Sequence, residues 1–142
     1  EIGNPDHLKF AEQELNFCEK NNIKINLRHL GELPYHLNEC EDAPAILYQK
    51  GSYDDSRQPL SIVGTRNITS YGKIFVQDLL EEIKTKHIIS VSGLALGIDT
   101  EVHEVSLQKN IPTAAVLAHG FFSRNSIPAR NPTAKISSRE TA

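Results

Sequence analysis

Residues 60–118 read LSIVGTRNITSYGKIFVQDLLEEIKTKHIISVSGLALGIDTEVHEVSLQKNIPTAAVLA, and the alternation of two rhythms in this stretch decides the fold. Leu60 to Val63 is a compact apolar run that stops at Gly64. From Tyr71 to Lys86, Phe75, Val76, Leu79, Leu80 and Ile83 recur at helical spacing. The pattern then repeats. His87 to Val91 reads as a second strand, Ser92 to Gly97 as a second glycine turn, and Ile98 to Lys109 as a helix with Ile98, Val102 and Val105 inward. Thr113 to Ala118 supplies a third strand. Strands that read as continuous apolar runs are buried on both faces, and strands that alternate with helices are joined by right-handed crossovers. The expectation is an α/β, Rossmann-like parallel sheet with helices on both faces, truncated after about three strands where a doubly wound sheet has five or six.

Working outward, Asn4-Pro5 opens a helix in which Leu8, Ala11, Leu15 and Cys18 recur at helical spacing, closed at Asn21-Asn22. From Ile23 to Gly51 the chain reads as short and irregular, with Pro34 and Pro44 as breakers and a strand at Ala45 to Tyr48. Ser52 to Pro59 reads as a surface loop and an internal boundary. The resulting division is a helical and irregular lead-in over 1–58, a Rossmann-like half over 59–120, and a basic arm or short helix over 121–142, where Asn131-Pro132 could cap the helix.

Composition narrows the classes. Across 142 residues, 39% are hydrophobic, too many for general disorder, and no apolar run approaches the roughly 20 residues of a membrane helix. No secretory signal is legible at the start, so a cytoplasmic location is expected. Cys18 and Cys40 read as reduced thiols, and the six His residues show no H-x-x-x-H spacing, so neither a metal nor a cofactor is expected. Charge is uneven: residues 1–58 carry six Lys or Arg and eleven Asp or Glu, while 59–142 carry nine and seven. The second segment is therefore the better place for a focused polyanion site.

In an open parallel sheet, ligands bind where strand carboxyl ends meet helix N-termini. Two glycine turns fall there. In the first, Gly64 permits a sharp bend, Thr65 and Ser70 offer hydroxyls, Arg66 a guanidinium fork and Tyr71 a ring; the competing reading is a helix-capping turn with a solvated Arg. The second, Ser92 to Asp99, matches neither G-x-G-x-x-G nor a P-loop. Asp99 and His103, four apart, read either as an acid–base pair or as an N-cap with a hydrogen-bonded imidazole beside it. His119 reads as a packing residue rather than a catalyst, and Phe121 and Phe122 either stack on bases or cover the sheet edge. No nucleophile–base constellation is visible.

The run Leu60 to Arg66 followed by Thr69-Ser-Tyr-Gly72, then Val91 to Asp99 with His103, resembles the DNA-processing protein A (DprA, also called Smf) family. Asp42 to Pro44, Leu47-Tyr48, Lys50-Gly51 and Pro112 to Gly120 also fit, so the resemblance covers roughly residues 30–120. It implies a bacterial cytoplasmic protein, without catalytic activity, that binds single-stranded DNA in natural transformation and loads the RecA recombinase onto it. Carried over by position, it puts Gly64, Thr65 and Arg66 at the DNA phosphate pocket and adds Ser92, Gly93 and Gly97. The family's second Rossmann half, to which dimerisation and recombinase contacts are mainly attributed, is not matched; a homodimer stays open. Ile127-Pro128 stands where the family has a tyrosine-proline motif. The alternatives are a nucleotide-binding or nucleotide-cleaving enzyme of a related Rossmann class, which lacks here the glycine-glycine-glutamate signature of the lysine-decarboxylase-like phosphoribohydrolases, and an inactive fragment with an open sheet edge.

Overall fold

The computed structural model describes residues 5–118. The expectations placed on His119, Phe121, Phe122 and the basic arm lie outside them. The chain divides into two compact units, with described residues up to Tyr53 in the first and from Asp54 in the second.

In the first unit, α1 (Pro5–Lys20) precedes an antiparallel pair, β1 (Ile23–Leu27) and β2 (Ile46–Lys50), joined through a 3-10 turn and a single helical turn, α2 (Tyr35–Asn38). The pair corrects the irregular reading of 23–51. Ile23 lies opposite Lys50 and Leu27 opposite Ile46, so the register of β1 depends on residues far along the chain. A fully buried Asn26, which donates from Nδ2 to the Gln49 side-chain oxygen at 3.0 Å, also interrupts the apolar pattern that would have announced a strand. Arg28 clamps the intervening loop by donating to the carbonyls of Cys40, Glu41 and Ala43.

The second unit is β3 (Gln58–Ser61), α3 (Ser70–Ile83), β4 (Ile88–Ser92), α4 (Ile98–Gln108) and β5 (Thr113–Ala115). The sheet is parallel with order β3-β4-β5, so its α/β class is as expected. Strand β3 begins earlier than the reading that treated Pro59 as loop. A proline is tolerated on an edge strand, where its missing N–H faces away from the ladder, and β3 is an edge of this sheet.

The fold is the expected α/β, Rossmann-like one, and among the described residues both helices of this unit pack on the same face of the sheet. Val76 and Leu80 of α3 share a buried cluster with Val102 and Val105 of α4 and with Ile111, and Ile62 and Ile88 pack against it. Two right-handed crossovers that step in the same direction, β3 to β4 to β5, must put both helices on the same side; only a reversal of direction past β3 moves a helix to the other. The helix α3 is capped by Thr69, whose Oγ1 accepts from the Gly72 N–H at 3.1 Å. Phe75, expected inward, is 53% exposed, because the buried stripe centres on Val76 and Leu80 and Phe75 falls on the flank. No described helix is long and apolar enough to cross a membrane.

Candidate functional site

The two glycine turns follow β3 and β4, at the carboxyl edge of the parallel sheet, and their main chains touch. The Ile98 N–H, at the start of α4, donates to the Thr65 carbonyl oxygen at 3.1 Å. Gly97, with φ +94, is where they meet: a Cβ placed there would lie 2.2 Å from the Thr65 carbonyl oxygen and 2.6 Å from that of Arg66. A Cβ at Gly64 would strike Ile98 Cγ1 at 2.6 Å, and one at Gly93 would strike Asp99 Oδ2 at 2.6 Å. All three glycines thus serve close approach between the turns and α4.

This junction leaves main-chain donors unpaired. Among the described residues, the N–H groups of Thr65, Arg66, Leu94, Ala95 and Leu96 make no hydrogen bond. Donors of this kind, gathered at strand carboxyl ends, form a concavity for anions. Arg66 is exposed and makes no ion pair with any described residue, so its fork is free to take a phosphate. Thr65 is exposed, and its Oγ1 accepts from the Asn67 N–H at 3.1 Å, which stiffens the first turn and leaves the hydroxyl proton for a ligand. Ser70 opens α3 and is exposed; Tyr71 follows it at 77% exposure. Thr65, Arg66, Ser70 and Tyr71 therefore stand open on one turn and the helix it starts.

Ser92 is different. It is buried, and its Oγ donates to the Ile62 carbonyl oxygen at 2.6 Å. The hydroxyl expected to reach a phosphate instead crosslinks β4 to the end of β3, because strand alternation turns position 92 towards the helices, as it does Ser90.

Asp99 differs from both readings, while His103 is the hydrogen-bonded imidazole of the second. The N-cap of α4 is Gly97, and Asp99 sits in the first turn at 8% exposure, where a carboxylate complements the helix dipole. His103 has no exposure at all. Its Nε2 lies 2.7 Å from the Gly93 carbonyl oxygen and its Nδ1 2.7 Å from Thr113 Oγ1, so both ring nitrogens are engaged and neither can reach a substrate. A second Ser–His contact, Ser56 with His87 at 3.1 Å, is no nucleophile–base pair either, because the Ser56 hydroxyl donates to Asp54 at 2.6 Å. Among the described residues no cluster of His, Cys, Asp and Glu could hold a metal ion.

Burial pushes the His103 imidazole below the usual histidine value of 6.5, against the opposing pull of the Gly93 hydrogen bond and the nearby Asp99. Above pH 6.5 the ring is neutral in both folded and unfolded chains and contributes no pH dependence. As the pH falls below that value the unfolded chain takes up the proton first, so stability declines until the folded value is passed. Thermal midpoints should therefore fall between about pH 6.5 and pH 5, before most carboxylates titrate. The fall should be smaller in His103→Gln, and equal slopes in the two proteins would contradict the assignment.

A family model described as DNA recombination-mediator protein A matches residues 24–141. The chain is 41% identical over 92 residues to the DNA processing protein DprA of Bacillus subtilis, covering 63% of this chain and 31% of that protein. It is 38% identical over 89 residues to the protein of the same name from Streptococcus pneumoniae, covering 62% and 31%. Protein Smf of Escherichia coli is 33% identical over 89 residues, covering 62% and 24%. The X-ray structure of DNA processing protein A from Streptococcus pneumoniae superposes with a TM-score of 0.64 at 27% identity, over 76% of this chain and 37% of that one. The matched stretch is thus about a quarter to a third of the length of these relatives.

Proposed function

Since the chain belongs to the DNA recombination-mediator protein A family, we propose that it binds single-stranded DNA through the paired glycine turns, without catalysing a reaction on it. The observation that carries this reading is the junction at Gly97, where the two turns meet at the backbone of Thr65 and Arg66: both turns keep unpaired amides, and no described side chain neutralises Arg66. A sugar-phosphate chain offers what such a surface lacks: repeated anionic oxygens at regular spacing. Thr65, Arg66 and Ser70 take the phosphates, with the amides of the two turns, and Tyr71 offers its ring to a base. Gly64, Gly93 and Gly97 give the site its shape. Ser92 supports it from within the sheet.

The wider role follows the names of the relatives, which are DNA processing proteins. In this reading the protein acts in the cytoplasm, protecting incoming DNA during natural transformation and passing it to the RecA recombinase. In this reading the full activity, including any homodimerisation, belongs to the whole length of such proteins. The buried, fully bonded His103 favours binding over turnover, since the nucleotide-cleaving alternative relied on that imidazole.

The test is fluorescence anisotropy with single-stranded and double-stranded oligonucleotides, with mononucleotides as competitors, over a range of salt. Binding to the single strand should fall with salt by a log-log slope of about −0.7 per contacted phosphate. Arg66→Ala should weaken it by about 10- to 100-fold, the scale of a charged hydrogen bond of about 1.5–3 kcal/mol, and flatten the slope by about one contact. An Arg66→Ala protein with the parent's affinity and slope would remove Arg66 from the site.

A further inference from the structure

The unused element of the site is the buried side-chain chain beneath its second turn, and we propose that His103 is a positioning residue for the DNA site, acting through the Gly93 carbonyl. This deepens the single-stranded DNA reading and rests on it.

Hydrogen-bond direction is fixed at both ends of this chain. A carbonyl oxygen only accepts, so the Nε2 facing Gly93 at 2.7 Å carries the proton. In the neutral ring Nδ1 then accepts, and the Thr113 hydroxyl, 2.7 Å away, donates to it. Thr113 Oγ1 in turn receives the Ser90 hydroxyl at 2.8 Å. With the Ser90 proton committed to Thr113, the contact between Ser90 and Ser106 at 2.8 Å must run from Ser106. The polarity is one-way, from Ser106 through Ser90, Thr113 and His103 to the Gly93 carbonyl, and His103, Ser90 and Ser106 have no exposure. No other titratable or charged side chain faces the ring from the second turn, β4 or β5 among the described residues; Asp99, on its own helix, is the one acid close to it.

The consequence for the site follows from peptide geometry. In a planar trans peptide the C=O and the next N–H point in opposite directions. Holding the Gly93 carbonyl inward against His103 therefore turns the Leu94 N–H outward, and that is one of the amides left unpaired on the ligand side. If the imidazole let go, the peptide between Gly93 and Leu94 would be free to rotate and present an oxygen where a phosphate has to bind. His103 thus selects which pole of this peptide meets the DNA.

The experiment compares His103→Gln with His103→Asn in the 142-residue chain. An amide nitrogen on the longer Gln side chain reaches the place of Nε2 and keeps a donor for Gly93; the shorter Asn reaches only the place of Nδ1. Anisotropy with a labelled oligothymidylate is read beside thermal melting, and the Leu94 amide is followed by nitrogen-edited NMR. Gln is expected to stay within about threefold of the parent, and Asn to bind about 10-fold or more weakly, the scale of one buried hydrogen bond left unmade. The Leu94 amide signal should move on adding DNA to the parent and the Gln protein, and not to the Asn protein. Equal affinities for the two variants, or losses that simply track their melting temperatures, would overturn the assignment while leaving the DNA reading intact. A parent chain that does not bind the oligonucleotide overturns both.

Discussion

Replacing Gly97 with alanine is expected to break the junction between the two turns, lowering stability by several kcal/mol and abolishing measurable DNA binding. Two independent penalties meet at this residue. Its backbone, at φ +94 and ψ −128, lies where side chains are rarely accommodated, which costs about 1–3 kcal/mol. The added Cβ would also sit 2.2 Å from the Thr65 carbonyl oxygen and 2.7 Å from the Arg66 carbonyl carbon. These are main-chain atoms and cannot swing aside, so overpacking adds about another 1–3 kcal/mol or pushes the turns apart. Separation removes the Ile98-to-Thr65 hydrogen bond and with it the register of the two rows of amides. Gly31 is the control: its φ is +70, but nothing lies within 4 Å of a Cβ there, so alanine should cost only the conformational part, about 1 kcal/mol. Denaturant melts of both variants beside oligonucleotide titration decide the matter. A Gly97→Ala protein as stable as Gly31→Ala and still binding would mean that the turns do not touch in solution.

Leu80→Ala is expected to be the most damaging single truncation in the second unit. Leu80 is fully buried between the helices, in a cluster of five buried apolar residues among those described, with Ile62, Ile83, Ile88 and Ile98 packed against it, so its truncation opens a cavity at the centre of that cluster. Leu-to-Ala truncations at such sites cost about 2–5 kcal/mol. For a unit of this size each kcal/mol shifts the thermal midpoint by about 4–8 °C, so a drop of at least about 10 °C should be seen by calorimetry. Phe75→Ala is the informative partner. Helical spacing groups Phe75 with Leu80, yet it is half exposed, and its truncation should stay within about 0.5 kcal/mol. Comparable losses at the two positions would show that another surface covers the Phe75 flank.

These two residues mark how far the sequence could be read. The rhythm of residues 60–118 announces strand, turn and helix twice over, because apolar spacing along a helix or strand is a local property. The buried stripe of α4 at Ile98, Val102 and Val105 is legible for the same reason. The directions of the Phe75 and Ser92 side chains are not legible locally: a turn of α3 by one residue, or the alternation of β4 by one position, decides between solvent and core. Strand β1 is not legible because its partners lie 19 to 27 positions further along the chain and a buried Asn26 interrupts its apolar pattern. His103 attracts attention in the sequence as a possible acid or base, and nothing local indicates that Thr113 and Gly93 saturate it.

Composition, periodicity and the two glycine turns by themselves determined the parallel α/β class and the end of the sheet at which both turns sit, since strand direction and helix placement follow from short-range pattern and the handedness of crossovers. Only the tertiary structure decided that both helices share one face, that Gly97 lies against the backbone of Thr65 and Arg66, and which nitrogen of His103 carries its proton. The junction depends on the main chains of Thr65 and Ile98, from two separate turns, coming within hydrogen-bond distance, and the His103 proton on partners ten residues to either side, Gly93 and Thr113; no periodicity along the chain encodes either approach.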